Sequence, residues 1–565
     1  MCKIFTILNN RNYPFSKILE EQIQGVFRKI KQEDILVDMA FNNINKQSSN
    51  EEAEQPIKGE NIILLCNGEI YNSQELYYFM NVIPNEKNSC EVIIPLYKKY
   101  GIEQTLQMID GVYSFILIDQ QQFISKGISK IYIASDSYGL RPLFLLRPNI
   151  NNELKNIVPI YCISTEEQVL NNISVLLNTP GELDKSKNLN NESSSIYSSS
   201  PLRNSFSQFS SFIKINKKNK KETKNYIVEK ITPGTYYLFK LSDKVCSVWN
   251  IEKEKVPFNV LGGYFKYQNI RGYNEIDYIT KNIQNNLIQA VDKRCEYIEN
   301  INKIGCIVTD DYESLLIAGL ITEYYNKKGY GQLETFSIVY NNNKEEYKSS
   351  NDLSDYLSYY LDTLHTEIII KEQDLVIAIP ELIEILGSKE EELICANISY
   401  YLISKKIKEQ NKNIEYIFTS IGADEVLGKK VKANDEIEID MECREKLKNL
   451  HNGQLLHSFN MFFNNGIILE TPYLDRNFVQ YYISLSPAYR CSLNEKFKDI
   501  IDDIKISYNN ILKEVFNREN YTGISRIQFL PTPEESNEIN EYNDCIFENN
   551  ELINKFIKKY LEEIK

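Results

Sequence analysis

The residue best suited to act as a nucleophile is the second of the chain. The sequence opens Met1-Cys2-Lys3, and an apolar, strand-like run follows. If Met1 is removed, Cys2 carries a thiol and a free α-amino group on one carbon, and an amine that titrates near ~8 can take the thiol proton without a histidine. A cysteine at a strand start is more often a small buried hydrophobe. Which interpretation holds depends on the residues around Cys2.

Histidine chemistry has little support in this sequence. The chain has three histidines, His365, His451 and His457. His451 and His457 are six positions apart, which is not the spacing of two metal ligands on one helix face. The sequence therefore predicts no metal site and no Ser-His-Asp triad.

Composition restricts the class of protein. The chain has 565 residues, 42% of them hydrophobic, which predicts a globular protein of more than one domain. A net charge of −14 disfavours non-specific binding to nucleic acid or to an anionic membrane. Eleven cysteines are spread singly, without a CxxC pair, which predicts reduced thiols and a cytoplasmic location. Neither a signal peptide nor a membrane-spanning run is predicted.

The elements that would position Cys2 are short strands. Residues 62–66 form a continuous apolar run that ends at a predicted turn, Asn67-Gly68-Glu69, and further strands are predicted at 111–119 and 131–136. A helix is expected to open near Cys90. Many short strands with few helices predict stacked antiparallel sheets. Residues 171–224 are rich in Asn, Ser and Lys, so we expect a disordered insertion near the end of this domain.

The pattern changes from about residue 270. Apolar strands are predicted at 304–308, 335–340 and 414–418, and residues 313–326 repeat apolar positions at helical spacing. Strands that alternate with helices predict a doubly wound parallel sheet. The sequence is therefore divided into domains at 1–255 and 256–565.

Together, the motifs of the first domain resemble the N-terminal-nucleophile glutaminase domain of glutamine-hydrolysing asparagine synthetases. The matching residues are Cys2, the segment 67–72, Gly111 to Phe115 and Asp136 to Leu143. The resemblance implies a layered αββα fold in which Cys2 attacks the glutamine amide. It assigns the oxyanion hole to Asn67 and Gly68, because a tetrahedral oxyanion needs two donors about 3 Å away. It also implies that Glu69 and Ser89 contact glutamine.

The second domain resembles the synthetase domain of the same family. Gly422-Ala423-Asp424-Glu425, Pro472-Tyr473-Leu474-Asp475 and the helix containing Tyr401 to Ile407 match its segments. In the family, ATP activates aspartate as an adenylate, and ammonia from the first site yields asparagine, AMP and pyrophosphate. The resemblance implies glutamine, aspartate and ATP with Mg²⁺ as ligands, and it is compatible with a homodimer. The positions that it aligns with nucleotide contacts are Val308, Ser314, Ile338, Thr419, Ser420, Gly422 and Asp424.

The sequence departs from the family at the phosphate loop. The family reads Ser-Gly-Gly-Leu-Asp-Ser-Ser where residues 309–315 read Thr-Asp-Asp-Tyr-Glu-Ser-Leu. Glycines let backbone N–H groups surround a phosphate, whereas Asp310 and Asp311 add bulk and negative charge. These acids suit an ordinary helix start, where carboxylates complement the helix dipole. A Mg²⁺ ion held by them is the alternative interpretation.

Other ligand positions are also replaced. The family arginine that binds the glutamine carboxylate aligns with Ala40, and the aspartate that binds its ammonium aligns with Ser89. In the second domain, Ile468 and Glu470 stand where the family has glutamate and arginine. The remaining replacements in that domain are Cys395, Ser420, Ile421 and Asn509.

Three hypotheses remain open from the sequence. The protein is a glutamine-dependent synthetase, a glutaminase that releases ammonia, or a non-catalytic member that keeps the two-domain scaffold for binding. The residues favour the family strongly, and they favour loss of the adenylation step.

Overall fold

The coordinates are a computed structural model of the chain. The structure describes the following residues: 2–9, 28–32, 37–43, 55–84, 88–122, 128–149, 159–178, 225–242, 248–258, 275–298, 300–309, 312–340, 361–386, 389–427 and 436–490.

The first domain is built from two antiparallel sheets of six strands each. Alternation of apolar residues on both faces suits strands that are covered on each side. One sheet has the order β10-β8-β9-β1-β3-β2 and the other the order β12-β11-β7-β6-β5-β4. The strands are β1 Cys2–Leu8, β2 Arg28–Gln32, β3 Val37–Asn43, β4 Ile57–Gly59, β5 Ile62–Ile70, β6 Gly111–Asp119, β7 Ser129–Ser135, β8 Phe144–Pro148, β9 Tyr161–Ser164, β10 Tyr226–Lys230, β11 Thr235–Ser242 and β12 Val248–Pro257.

Period-two alternation sorts the strand residues into separate cores. Ile63 and Leu65 of β5 pack between the two sheets with Ile4 of β1. Leu64 and Cys66 point to the opposite face, where two helices cover the sheet. These helices are α1 Ser73–Met80 and α2 Ile93–Met108, and a 3₁₀ helix, Ser89–Val92, precedes α2. The helix predicted near Cys90 is confirmed.

A third helix, α3 Glu167–Asn178, covers the outer face of the other sheet. It packs Leu170 and Ile173 against Phe5 and Ile7 of β1. The layers therefore run α3, sheet, sheet, α1 and α2, which confirms the predicted αββα arrangement.

Two sequence-based boundaries need correction. Residues 171–178 were placed in a disordered insertion, but they form the second part of α3, because Ile173 and Leu177 continue its apolar face. Residues 179–224 lie outside the described residues. The predicted domain boundary after residue 255 falls inside β12, which continues to Pro257 and pairs there with Thr235 of β11.

The second domain has a five-stranded parallel sheet with the order β15-β14-β13-β16-β17. This order confirms the doubly wound sheet. Its strands are β13 Ile304–Ile307, β14 Glu334–Tyr340, β15 Leu364–Ile370, β16 Tyr416–Phe418 and β17 Ile468–Glu470. Its helices are α4 Glu275–Tyr297, α5 Tyr312–Lys328, α6 Glu372–Leu386, α7 Glu391–Gln410, α8 Ala423–Leu427, α9 Glu436–Asn449, α10 Gln454–Asn464, α11 Arg476–Ser484 and α12 Pro487–Arg490.

The two domains share one core. Val112, Tyr138 and Leu140 of the first domain belong to the same buried cluster as the parallel sheet and its helices. The strand order reverses between β13 and β16, and ligands of open α/β sheets bind at the carboxyl ends of such strands. In the part of the chain that the structure describes, no helix combines the length and apolar character needed to cross a bilayer.

Candidate glutaminase site and the domain interface

Cys2 is the first residue of β1, an interior strand of its sheet. Its Cα pairs with that of Asn43 on β3, and the strand continues with β9 as its other neighbour. The backbone thus places the candidate nucleophile at the end of a strand that both neighbours hold in register.

The segment predicted as a turn is instead part of a strand. Asn67, Gly68 and Glu69 lie within β5, and Gly68 pairs with Tyr113 of β6. Gly68 has a φ of +149°, and a Cβ there would lie 2.1 Å from the Val112 carbonyl oxygen. Only glycine can adopt this conformation so close to the neighbouring strand. The Asn-Gly-Glu signal therefore marks a local distortion of a paired strand, with a buried asparagine before it.

Glu69 follows the glycine and is buried. Burial and the nearby carboxylate of Glu470 raise its pKa to about 7, against the opposing effect of Arg141. Its Oε2 atom has no hydrogen-bond partner among the described residues. Glu69 therefore changes its protonation state near neutrality, and the charge of Glu470 in the second domain contributes to this shift of its pKa.

Ser89 is already bonded on two sides. Its Oγ accepts a hydrogen bond from the Ile70 N–H at 3.1 Å and lies 3.3 Å from the Tyr297 hydroxyl of α4. The hydroxyl links β5 to the second domain. The structure therefore places Ser89 beside β5 with two partners, and its contact with glutamine stays a prediction.

A buried group of charged side chains lies where the domains meet. Arg294 of α4 donates to Asp475 at 3.0 Å, and its Nε lies 3.2 Å from Glu470 Oε2. The Tyr71 hydroxyl donates to the same Glu470 oxygen at 2.9 Å, and the guanidinium lies over the Tyr71 ring at 4.9 Å. Arg294, Glu470 and Asp475 are each 2% exposed. We call Tyr71, Lys293, Arg294, Glu470 and Asp475 the interface network.

The interface network continues across the domains through Lys293. Its ammonium donates to Asp110 at 2.6 Å and also pairs with Asp475. Burial alone would raise the pKa of Asp475, but Lys293 and Arg294 hold it below its usual value. Glu470 behaves differently, because burial outweighs Arg294 and raises its pKa. A cavity of about 20 Å³ beside Tyr71, Arg294 and Asp475 has room for a water molecule.

The predicted nucleotide positions occupy the carboxyl ends of neighbouring strands. Val308 follows β13 and Thr419 follows β16, which pair in parallel. Ser314 is buried, and its hydroxyl donates to the Thr309 carbonyl at 3.0 Å and accepts from the Thr309 N–H at 3.0 Å. Ser314 lies in the first turn of α5, so these two bonds form a closed loop between the helix start and the segment that precedes it. Asp310 and Asp311 lie outside the described residues.

The other predicted nucleotide positions make contacts within the fold itself. Val308 and Ile338 belong to the shared core. The Thr419 N–H donates to the Glu470 carbonyl at 3.0 Å. Gly422 has a φ of +93°, and a Cβ there would meet Leu474 at 2.5 Å. The structure brings this segment to the sheet edge and places Asp424 in the first turn of α8, after Ser420.

Comparison with known proteins agrees with this two-domain arrangement. A family model described as "Glutamine amidotransferase domain" matches residues 43–155, and one described as "Asparagine synthase" matches residues 312–433. The asparagine synthetase [glutamine-hydrolyzing] of Homo sapiens is 26% identical over 485 residues, covering 82% of this chain and 72% of that protein. The Bos taurus protein of the same name is 26% identical over 476 residues, with the same two coverages. Over most of its length, the chain is similar to glutamine-hydrolysing asparagine synthetases.

Ala40, the position that the resemblance aligns with the carboxylate-binding arginine, faces away from the core between the two sheets. Ala40 is buried in the core with α3, whereas its neighbours Met39 and Phe41 belong to the core between the sheets. Alternation of side chains in β3 explains this difference. A side chain at position 40 therefore packs into the core beneath α3 and not into the core between the two sheets.

The predicted nucleotide positions of the synthetase domain do not fit a bound triphosphate with Mg²⁺. They comprise apolar side chains, hydroxyl groups, one glycine and one carboxylate, but no Lys or Arg. The Ser314 hydroxyl is used within its own loop. Among the described residues, no group of three or more His, Cys, Asp or Glu side chains is arranged to hold a metal ion.

Sequence analysis did not identify Arg294 and Lys293 as part of a site. The only local feature is a pair of adjacent basic residues on α4, which does not by itself indicate a buried site. Tyr71 lay within the matched segment 67–72, and Glu470 was noted only as a replacement. Their convergence depends on contacts between distant parts of the chain.

Proposed function

We propose that this chain hydrolyses a glutamine-type side-chain amide and no longer adenylates aspartate. The observation that carries the proposal is the conformation of Gly68, whose φ of +149° beside Val112 admits no other residue. A backbone N–H, as on Gly68, and a side-chain amide, as on the adjacent Asn67, are the types of donor that a tetrahedral oxyanion needs.

The proposed reaction uses residues of the first domain only. The Cys2 thiolate attacks the amide carbon, with its own α-amino group as the base. The tetrahedral oxyanion is stabilised by Asn67 and Gly68, and collapse releases ammonia and leaves a thioester. Water then hydrolyses the thioester to the acid and regenerates the thiol.

Loss of adenylation is supported by electrostatics. A triphosphate needs cations or a ring of backbone N–H groups, and the predicted nucleotide positions supply neither in full. Asp310 and Asp311 place two acids where the family has glycines. The second domain then acts as the structural partner of the first.

A second candidate is a non-catalytic binding member of the family. It is favoured by the bonding of Ser89, whose hydroxyl already accepts from Ile70 and contacts Tyr297, and so connects β5 to the second domain. In that case, the two-domain fold would serve to present binding surfaces.

Two measurements test these proposals. Intact mass should show that Met1 is removed, and a glutamine-like diazoketone should add one label, which Cys2→Ala abolishes. Cys162→Ala, another buried cysteine of the first domain, is the matched control and should label normally. A retained Met1 or no label on Cys2 would favour the binding member.

The synthetase step is tested with saturating ammonia, aspartate and Mg-ATP, which bypass Cys2. We expect no pyrophosphate above the level of protein heated to inactivation. Pyrophosphate formed in proportion to protein and abolished by Asp424→Asn would refute the loss of adenylation.

A further inference from the structure

Two buried cysteines lie in contact beside the proposed oxyanion residues. Cys66 is in β5 and Cys90 is in the 3₁₀ helix Ser89–Val92. Their sulfur atoms are 2.9 Å apart, neither forms a disulfide, and each residue is 1% exposed. The proposed hydrolysis uses neither thiol.

The backbones that carry the two thiols are held in place. The Cys66 N–H donates to Gln55 Oε1 at 2.8 Å, and the Cys90 N–H donates to Asn88 Oδ1 at 2.9 Å. A disulfide needs sulfur atoms about 2.05 Å apart, so this pair must close by roughly 0.9 Å. A change of that size is within the reach of side-chain rotation.

We propose that Cys66 and Cys90 are a modification site, which a small peroxide converts into a disulfide. Burial selects the oxidant, because a protein disulfide or glutathione is too large to reach sulfur atoms that are 1% exposed. One thiol reacts with hydrogen peroxide to give a sulfenic acid and water. The second thiol then displaces water from the sulfenic acid, so that two thiols and one peroxide give one disulfide and two waters.

The disulfide would act directly on the strand that carries the oxyanion residues. Cys66 immediately precedes Asn67, and the Cys90 thiol donates to the Gly68 carbonyl at 3.3 Å. Oxidation removes that donor and fixes the 3₁₀ helix to β5. We therefore expect reversible loss of amide hydrolysis. This effect rests on the proposed function, whereas formation of the bond does not.

The bond is tested on the full-length protein by differential alkylation. After peroxide treatment, free thiols are blocked, the protein is reduced under denaturing conditions, and newly exposed thiols receive a second label. We expect two second labels, on Cys66 and Cys90, and a peptide that joins them before reduction. Second labels at other cysteines only, or none, would overturn the proposal.

Variants separate the pair from general oxidation. Cys66→Ala and Cys90→Ala should each abolish the joined peptide, because the remaining cysteine has no partner and stops at the sulfenic acid. Cys162→Ala should keep the joined peptide, since Cys162 lies in a different core. The same test in Cys2→Ala should still give the bond, which distinguishes this inference from the proposed hydrolysis.

If hydrolysis is present, oxidation should lower its rate by roughly tenfold or more, as for loss of oxyanion donors. A thiol reductant should restore it, and Cys90→Ala should lose only the part of the inhibition that the disulfide causes, because peroxide also oxidises the Cys2 thiolate.

Discussion

Arg294 at the centre of the interface network provides the sharpest test of the structure. Arg294→Met removes a guanidinium that contacts Asp475 at 3.0 Å and Glu470 at 3.2 Å. Lys293 still pairs with Asp475, so Glu470 is the carboxylate that loses its ion-pair partner and keeps only the attraction of Arg141. Breaking a buried ion pair by removing one partner costs roughly 3–5 kcal/mol, because the remaining charge stays desolvated. Loss of the contact with the Tyr71 ring adds about 1 kcal/mol.

The free energy of unfolding is measured by denaturant titration. The single tryptophan, Trp249, is fully buried in the first domain and reports that domain by fluorescence, while circular dichroism reports the whole chain. The control is Lys327→Met, which removes a helical ion pair at 2.7 Å with a lysine that is 58% exposed. Exposed pairs contribute about 0–1 kcal/mol, so this variant should remain close to wild type.

The pH dependence of the destabilisation by Arg294→Met is a second, independent test. The pKa of Glu470 is already raised by burial, and loss of Arg294 raises it further. A carboxyl group whose folded pKa exceeds its unfolded value lowers stability as pH rises between the two values. The destabilisation by Arg294→Met should therefore grow from about pH 5 to about pH 8. A decrease of less than about 1 kcal/mol in the free energy of unfolding, or a decrease that is the same at both pH values, would refute the buried network.

Three further predictions follow from single residues. Gly68→Ala should abolish diazoketone labelling of Cys2, since its Cβ would lie 2.1 Å from the Val112 oxygen; normal labelling would disprove the strand geometry. Glu69→Gln should stabilise the protein at about pH 8 more than at about pH 5, because a carboxyl whose pKa is about 7 loses its proton, at a cost, between these values; equal effects in denaturation curves would contradict this. Ser314→Ala should lower the free energy of unfolding by about 1–2 kcal/mol, since its buried hydroxyl makes two hydrogen bonds with Thr309; an unchanged midpoint would exclude the closed loop.

The sequence predicts most elements of the fold because their apolar periodicities are local. The continuous apolar run at residues 62–66 predicts β5, and the strand-helix order from residue 304 predicts the parallel sheet. The extension of β5 through Gly68 was missed, because Asn-Gly is equally typical of a turn and only pairing with β6 decides between them. The second part of α3 was missed because the apolar residues near 173 merge into a polar tract. In each case a contact distant in sequence decides the local structure.

The candidate site was predictable only where the family motif survives. Asn67 and Gly68 were identified by their match to that motif, and the structure adds the reason for the glycine. Arg294 and Asp475 are 181 positions apart, and no local pattern indicates that they meet. A buried charge network depends on the packing of two domains, so a single sequence without aligned relatives does not reveal it.

The charge at position 470 bears on how this chain diverged. The family resemblance aligns Glu470 with an arginine, and here a glutamate at that place accepts from Arg294 and Tyr71. Simple reversion to arginine would bring two guanidinium groups together in a site that excludes water. An arginine at position 470 would therefore require a change at position 294 as well, so these two positions are coupled in this chain.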